Sequence, residues 1–330
     1  MSDDNMASGG SSGGTRVPEP PAGGGTGIVI ANAPVSYGAF EVTVGHDPNV
    51  PSGLSVLDQV AEAGYAGIDL GPVGYLGSPE KLGELLAERA LGLAGGYLEL
   101  PYADHDALEQ MLPELDALLD TFAAAAPYLA GLPPRPTLAD NGNEARRSRP
   151  GRSATDASVG LDADAWERFG QGLATVVARC RDRGYEPTFH PETGTNVEAP
   201  WEIARVLEVS DIGLCLETGH MMMGGGDPLA ALRDWSPRIN HVHLKDGVRS
   251  VMQGIIDDEA PATDIWSREA FCALGHGDLD VQAVLDGLNR IGFQGWLVVE
   301  QDIFPRTAER FARAAQDQRD NRAYLSARGL

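Results

Sequence analysis

The 330-residue sequence predicts a (β/α)₈ barrel, also called a TIM barrel, and two patterns support this fold class. Short apolar runs alternate with helical segments about eight times, as parallel strands joined by crossover helices do. Polar side chains of ligand type recur where several runs end, and in a barrel those ends share one face. A doubly wound open sheet is the rival. No Gly-x-Gly-x-x-Gly follows the first apolar run, so a dinucleotide-binding fold lacks support.

The first 26 residues differ from the rest of the chain. They are rich in Gly, Ser and Pro and contain no apolar stretch of the kind found in a secretory signal. We interpret segment 1–26 as a disordered tail and segment 27–330 as a single barrel domain.

Apolar periodicity and turn residues give the order of elements along the domain. The predicted strands are 27–32, 66–70, 93–98, 135–140, 187–190, 212–216, 239–243 and 295–299. The predicted helices are 54–63, 78–90, 106–126, 163–183, 200–209, a short helix from 227, 280–290 and 305–322. Gly64 and Gly184 are placed as C-caps, Ser78-Pro79 is typical of a helix start, and Pro136 weakens the fourth strand. Segment 141–160 is predicted to be a mobile loop whose arginines form surface ion pairs, and segment 247–278 an irregular insertion.

Composition excludes several classes of function. Lys and Arg total 25 against 48 Asp and Glu, a formal net charge of -23, which disfavours nucleic acid as a partner. No apolar run is long enough to cross a bilayer, so no membrane partner is expected. Three widely spaced cysteines do not suit a disulfide framework, and we expect a cytoplasmic location.

Two apolar runs end in side chains that bind metals. Leu214, Cys215 and Leu216 have the character of a buried strand, and Glu217 follows them directly. His241 and His243 point the same way if they lie in a strand, because strand side chains alternate between faces. His190, Glu192, His220 and Glu300 are similarly placed at or after strand ends. Carboxylates and imidazoles at adjacent strand ends suit a divalent cation such as Mn²⁺, Co²⁺ or Zn²⁺.

Five stretches resemble the inosose dehydratases. They are Ile30-Ala-Asn-Ala-Pro-Val-Ser-Tyr-Gly38, Gly64-Tyr-Ala-Gly-Ile-Asp-Leu-Gly-Pro72, 190–195, Leu216-Glu-Thr-Gly-His220 and His241-Val-His-Leu-Lys-Asp246. The resemblance covers about residues 27–304 and is to the xylose-isomerase-like barrel superfamily of sugar isomerases and epimerases. It implies one divalent metal ion, Mn²⁺ or Co²⁺ foremost with Mg²⁺ or Zn²⁺ as alternatives, and abstraction of a proton beside a carbonyl.

The resemblance also implies roles for individual residues. The implied metal ligands are His190, Glu217, His243 and Glu300. The implied catalytic residues are Glu192, His220, Lys245 and Glu300. Candidates for substrate binding are Asn32, Glu99, Asp140 and His241, although helix capping is an equal alternative for Glu99 and Asp140, and His241 is better placed to orient His243. Epimerases carry Glu on the fifth strand and inosose dehydratases His-x-His, whereas this chain has His190-Pro191-Glu192, so the fifth-strand ligand is either His190 or Glu192.

These residues point to a metal-dependent enzyme that acts on a small polyhydroxylated keto substrate. Dehydration of a keto-inositol or keto-sugar is our first expectation. The alternative is isomerisation or epimerisation, of the ketose epimerase or hydroxypyruvate isomerase type. An abasic-site endonuclease and a non-catalytic sugar-binding barrel are weaker alternatives, and homo-oligomer formation is left open.

Overall fold

Parallel strands form one curved sheet in the computed structural model, which describes residues 27–304 and 307–330. Its strands are β1 (Ile28–Asn32), β2 (Gly67–Ile68), β3 (Gly92–Leu93), β4 (Gly95–Leu100), β5 (Arg135–Asp140), β6 (Thr188–Phe189), β7 (Gly213–Glu217), β8 (Ile239–Leu244) and β11 (Gly295–Val299). A separate antiparallel pair consists of β9 (Asp246–Gly247) and β10 (Phe271–Cys272). The order in the large sheet is β3-β2-β1-β11-β8-β7-β6-β5-β4.

The sheet closes because β3 and β4 are two halves of one bent segment. Only Ala94 separates them, yet they stand at opposite ends of the strand order. The amide of Ala94 donates to Ile68 O at 2.9 Å, and its carbonyl accepts from Arg135 N at 3.0 Å. The segment therefore joins strands on both sides, and nine strand segments make a barrel of eight positions. This confirms the predicted barrel, with the predicted third strand divided in two.

Helices surround the barrel. They are α1 (Gly53–Ala63), α2 (Pro79–Ala87), α3 (His105–Ala125), α4 (Glu144–Ser148), α5 (Ala163–Asp182), α6 (Pro200–Val209), α7 (Thr218–Met223), α8 (Pro228–Asp234), α9 (Arg249–Asp257), α10 (Thr263–Ser267), α11 (Val281–Arg290) and α12 (Ala308–Ser326). Gly64 caps α1 in the left-handed conformation, at φ 87°, as its position in the sequence predicted.

The barrel interior is apolar in its lower part and polar toward the carboxyl ends of the strands. In the apolar part, Trp296 and Val298 pack with Ala31, Ala33 and Ala94. Side chains two positions apart share a face, so the residue after Val298 on this face is Glu300. In β7 and β8 the register likewise pairs Cys215 with His241 and Glu217 with His243.

Two segments differ from their predictions. Segment 141–160 contains α4, and Arg146 within it is buried against the fully buried carboxylates of Glu202 and Glu198, at 2.7 and 3.1 Å. These ion pairs fix the segment, so the prediction of a mobile loop with only surface pairs was wrong there. Segment 247–278 is not irregular, because it contains α9, α10 and the β9–β10 pair.

Other predictions concern the ends of the chain and its surroundings. The proposed tail, 1–26, lies outside the described residues, as does the predicted start of the last helix at 305 and 306. None of the helices in the described part of the chain combines the length and apolarity that a membrane span requires. All three cysteines are free, as expected. The cytoplasmic location and the homo-oligomer stay predictions.

Candidate active site

Four side chains that the sequence singled out meet at the carboxyl ends of the strands. His190, Glu217, His243 and Glu300 each offer one ligand atom, and these atoms all lie within 4.8 Å of one another. His190 and Glu300 directly follow β6 and β11, Glu217 ends β7, and His243 lies in β8. The parallel barrel thus brings together residues that are up to 110 positions apart in sequence.

One carboxylate oxygen lies at the centre of this group. Glu217 Oε2 is 3.5 Å from His190 Nε2 and 3.5 Å from His243 Nδ1. His243 Nδ1 is also 3.1 Å from Glu300 Oε2. Two imidazole nitrogens and two carboxylate oxygens therefore converge on one point.

The chemistry of this group fits a divalent cation. Glu217 Oε2 and His243 Nδ1 are buried and lack a hydrogen-bond partner among the described residues, which is costly unless another group satisfies them. Burial lowers the pKa of His190 to about 4, so its ring is neutral near pH 7 and keeps a lone pair free for a ligand bond. Behind His243, Asp69 Oδ2 lies 3.5 Å from Nε2, an arrangement that commonly orients a metal-bound imidazole.

A cavity of about 150 Å³ that is open to solvent lies directly over the group. Among the residues that the sequence singled out, its walls include Glu99, His190, Glu192, His220, His243, Lys245 and Glu300. Further lining residues are Phe40, Glu41, Asp69, Tyr97, Trp266 and Asp302.

A second cluster of charged groups lies beside the first. His220 Nε2 is 3.3 Å from Glu192 Oε1 and 3.4 Å from Asp302 Oδ2. Lys245 Nζ is 2.8 Å from Asp302 Oδ1, 3.1 Å from Glu300 Oε2 and 3.6 Å from Glu217 Oε2. Glu192 is not in the four-residue ligand group but lies next to it, with Oε2 3.4 Å from His190 Nδ1.

Burial shifts the pKa values of these groups. Burial raises the pKa of Glu192 to about 8, partly offset by the positive charges of His220 and Lys245. Burial alone would lower the pKa of Lys245, but Asp302, Glu217 and Glu300 together raise it well above its ordinary range. Burial would likewise raise the pKa of Glu217, yet Lys245 holds it well below its usual range. The site therefore contains an ammonium that is charged near neutral pH and a carboxyl group whose pKa lies well above its ordinary value.

Three of the four predicted substrate-binding residues lie away from the cavity walls. Asn32 Nδ2 donates to Gln318 Oε1 at 3.0 Å and to Val299 O at 3.2 Å, so this amide fixes β1 to neighbouring elements. Asp140 Oδ1 accepts hydrogen bonds from the loop residues Gly142 and Asn196. His241 is fully buried beneath His243, with ring centroids 5.1 Å apart. Glu99 lines the cavity, where Tyr97 donates a hydrogen bond to it at 3.0 Å.

The sequence prediction missed several residues of the cavity. Asp302 follows Glu300 by two positions, and that alternation could have indicated a second inward carboxylate. Asp69, near the end of the second predicted strand, was not missed, because substrate binding and capping of the next helix are equal alternatives for it from the sequence. Phe40 lies in a loop and Trp266 in segment 247–278. No periodicity in the sequence predicted their contact, in which the ring centroids are 5.9 Å apart.

Comparison with known proteins places this chain in a family. Residues 57–321 match the sequence profile described as xylose isomerase-like TIM barrel. The chain belongs to the xylose isomerase-like TIM barrel family. It is 31% identical over 257 residues to rhizopine catabolism protein MocC of Rhizobium meliloti, covering 76% of this chain and 75% of that protein. It is 27% identical over 263 residues to an inosose dehydratase of Geobacillus kaustophilus, covering 78% and 83%.

Solved structures share the fold of this family member at low sequence identity. One is an L-ribulose 3-epimerase, with a TM-score of 0.60 and 17% identity over 90% of this chain and 93% of that one. Another is the probable 3-DHS dehydratase AsbF of Bacillus anthracis, with a TM-score of 0.63 and 11% identity over 90% and 98%. These structures support the fold. The family membership and the curated relatives confirm the prediction of an enzyme that is a sugar dehydratase or a sugar isomerase or epimerase.

Proposed function

We propose that this chain is a divalent-metal-dependent lyase that removes water from a keto-inositol or a related keto-sugar. The observation that carries the proposal is that the four-residue ligand group and a cluster of proton-moving side chains, Glu192, His220 and Lys245, adjoin one cavity. The similarity to inosose dehydratases over more than three quarters of the chain supports this reaction type.

His190, Glu217, His243 and Glu300 would hold the cation. Their mixed oxygen and nitrogen set suits Mn²⁺ or Co²⁺, with Zn²⁺ and Mg²⁺ as alternatives. When bound there, the cation would stabilise negative charge that develops on a substrate carbonyl oxygen.

The remaining side chains supply the proton transfers. A C–H bond beside a carbonyl is a weak acid, so its removal needs a base held against it. Glu192 is that base, because it lines the cavity and its burial gives the carboxylate a pKa of about 8 and thus unusual proton affinity. Departure of the β-hydroxyl needs an acid, and His220 Nε2 and Lys245 Nζ are two donors that line the cavity.

The charges around the cavity support a neutral substrate. Glu41 and Glu99 lie at its walls, and Lys245 is already engaged by three carboxylates. A phosphate or carboxylate on the substrate would meet like charge at the entrance, in a chain whose net charge is -23. A neutral polyhydroxylated ketone meets hydrogen-bond acceptors there instead.

The arrangement also supports a second reaction, isomerisation or epimerisation. Glu192 and Glu300 are two carboxylates on one cavity, so one could remove a proton and the other return it to another face or carbon. Both reactions begin with the same proton abstraction, and the two differ in whether a hydroxyl then leaves.

Incubation of the Mn²⁺-loaded protein with inososes and keto-sugars in D₂O tests the proposal. A lyase gives new ultraviolet absorbance from an unsaturated ketone, whereas an isomerase or epimerase gives carbon-bound deuterium without that absorbance. The control is the same protein after chelation, which is expected to do neither. Binding of a substrate with neither deuterium incorporation nor absorbance, in the presence of Mn²⁺ or Co²⁺, would reject both reactions.

A further inference from the structure

Asp302 connects the two donors that the proposed dehydration needs. Its Oδ1 is 2.8 Å from Lys245 Nζ, and its Oδ2 is 3.4 Å from His220 Nε2. The same Oδ2 accepts a hydrogen bond from Trp266 Nε1 at 3.3 Å. The side chain is buried, lines the cavity and is not part of the four-residue ligand group. One carboxylate thus contacts the ammonium, the imidazole and the indole.

Lys245 depends on a partner for its position. A lysine side chain has four rotatable bonds and, on its own, no preferred direction. Of the three carboxylates around Nζ, Asp302 is nearest, and the other two, Glu217 and Glu300, belong to the ligand group. Asp302 is therefore the one of these three carboxylates that is not a proposed metal ligand, and it is the one that can hold the ammonium in position.

The imidazole of His220 is oriented from both sides. The backbone N–H of Thr193 donates to its Nδ1 at 3.3 Å, and Thr193 Oγ1 lies 3.1 Å from the same atom. With Nδ1 accepting from the backbone, Nε2 is the nitrogen that carries the transferable proton. That Nε2–H lies between Glu192 Oε1 and Asp302 Oδ2. Asp302 thus fixes the direction of the transferable proton.

We propose that Asp302 is a positioning residue that aims Lys245 and the Nε2–H of His220 at the departing hydroxyl, and that it serves loss of water and not removal of the carbon-bound proton. This inference rests on the proposed lyase function. In the first step Glu192 takes the proton from carbon, and the electron pair of the C–H bond moves into the carbonyl to give an enediol-type intermediate. In the second step that pair returns, the C–O bond to the β-hydroxyl breaks, and the hydroxyl leaves as water with a proton from His220 or Lys245. Glu192 then loses its proton to solvent and the donor regains one, so the net change is loss of one water.

The two steps are separable in D₂O. Wild-type protein and Asp302→Asn, both loaded with Mn²⁺, are given the inosose that the wild type dehydrates. Dehydration is measured by ultraviolet absorbance. Total C–H cleavage is the amount of dehydrated product plus the amount of recovered substrate that has taken up deuterium. We expect Asp302→Asn to keep C–H cleavage within about tenfold and to lose dehydration by about 100-fold or more, the usual effect of losing an oriented donor. Equal loss of both steps, or unchanged dehydration, overturns the inference.

Further measurements separate positioning from a folding defect. Mn²⁺ content by equilibrium dialysis is expected to match that of the wild type, and Asp302→Glu is expected to restore part of the dehydration. Trp266→Phe, which removes the N–H to Asp302 and keeps an aromatic ring at the cavity wall, is expected to shift the ratio of exchange to dehydration in the same direction. Trp201→Phe is the matched control, since that indole donates to Ser153 O at 2.8 Å and is not among the cavity walls, and it is expected to leave the ratio unchanged. A shift of equal size in both tryptophan variants overturns the inference.

The outcome also distinguishes the two proposals. A wild-type protein that neither exchanges nor dehydrates any substrate rejects the proposed function. A wild type that exchanges deuterium but dehydrates nothing rejects the lyase function in favour of isomerisation or epimerisation, and the Asp302 inference falls with it. A wild type that dehydrates, together with an Asp302→Asn variant that dehydrates equally well, overturns this inference alone.

Discussion

Asp140→Asn tests whether this carboxylate binds substrate or anchors a loop. Asp140 is 1% exposed, and its Oδ1 accepts hydrogen bonds from Gly142 N at 2.8 Å, Asn196 N at 3.1 Å and Asn196 Nδ2 at 2.8 Å. An asparagine can present the same acceptor oxygen without the charge. The variant should therefore keep the loop in place. It should remove only the free-energy cost of burying a charged carboxylate.

The magnitude follows from the pKa of Asp140. Burial raises it from 3.8 to about 6, although the three hydrogen bonds oppose the shift. The folded state therefore binds this proton more tightly than the unfolded state, and stability falls as pH rises from about 4 through 6. At pH 5 the folded carboxyl is mostly protonated, so it adds about 1 kcal/mol of stability relative to pH 8. Asn cannot titrate, so its advantage over Asp is expected to be about 1 kcal/mol larger at pH 8 than at pH 5.

Urea unfolding of both proteins at pH 5 and pH 8 measures this difference. The control is Asp182→Asn, which makes the same substitution at an exposed position at the end of α5. A constant difference for Asp140→Asn as well would contradict the buried-anchor interpretation. A large rise in KM without a change in stability would instead support the substrate-binding role predicted from sequence.

Three further predictions concern the site. Lys245→Met is expected to lower turnover by about 100-fold or more while Mn²⁺ content stays unchanged, and unchanged turnover would remove Lys245 from the mechanism. Glu217→Gln is expected to weaken Mn²⁺ binding in equilibrium dialysis by more than about 100-fold, since changes beyond the ligands themselves already cost 10- to 100-fold; wild-type affinity would show that the ligand group is misassigned. Gly219→Ala is expected to lower turnover with no change of charge, because its new Cβ would lie 2.7 Å from Lys245 Cγ and displace that side chain; activity equal to wild type would mean that Lys245 tolerates the shift.

Local patterns in the sequence predicted the barrel and the strand ends that carry ligand-type side chains, and the family resemblance then implied which four of them form the ligand group. Glu217 and Glu300 stand at the ends of apolar runs, and the closed parallel topology then requires such ends to meet. The residues that reach the cavity from loops carried no comparable signal. Trp266 arrives on a five-residue helix of the insertion, where the sequence shows no periodicity that indicates a direction.

The direction of a polar side chain at a strand end was less predictable than its presence there. Asn32 and Asp140 both end strands, as Glu217 does, yet they face structural partners and not the cavity. Arg146 shows the same limit, since a cluster of arginines in a polar segment does not reveal that one of them pairs with a buried carboxylate. The direction of each of these side chains depends on partner residues that are distant in sequence.

The bent segment around Ala94 has a consequence for how the chain can be cut and rejoined. Because this single stretch bonds to β2 on one side and β5 on the other, new termini placed there would break the ring of strands. A Cβ at Gly95 would lie 2.8 Å from Arg135 O, so even a methyl group would push β4 and β5 apart. Termini moved instead to the turn at Gly131, where a Cβ would meet no atom within 4 Å, would leave the ring intact. Circular permutants at the two positions should therefore differ sharply in their yield of folded protein.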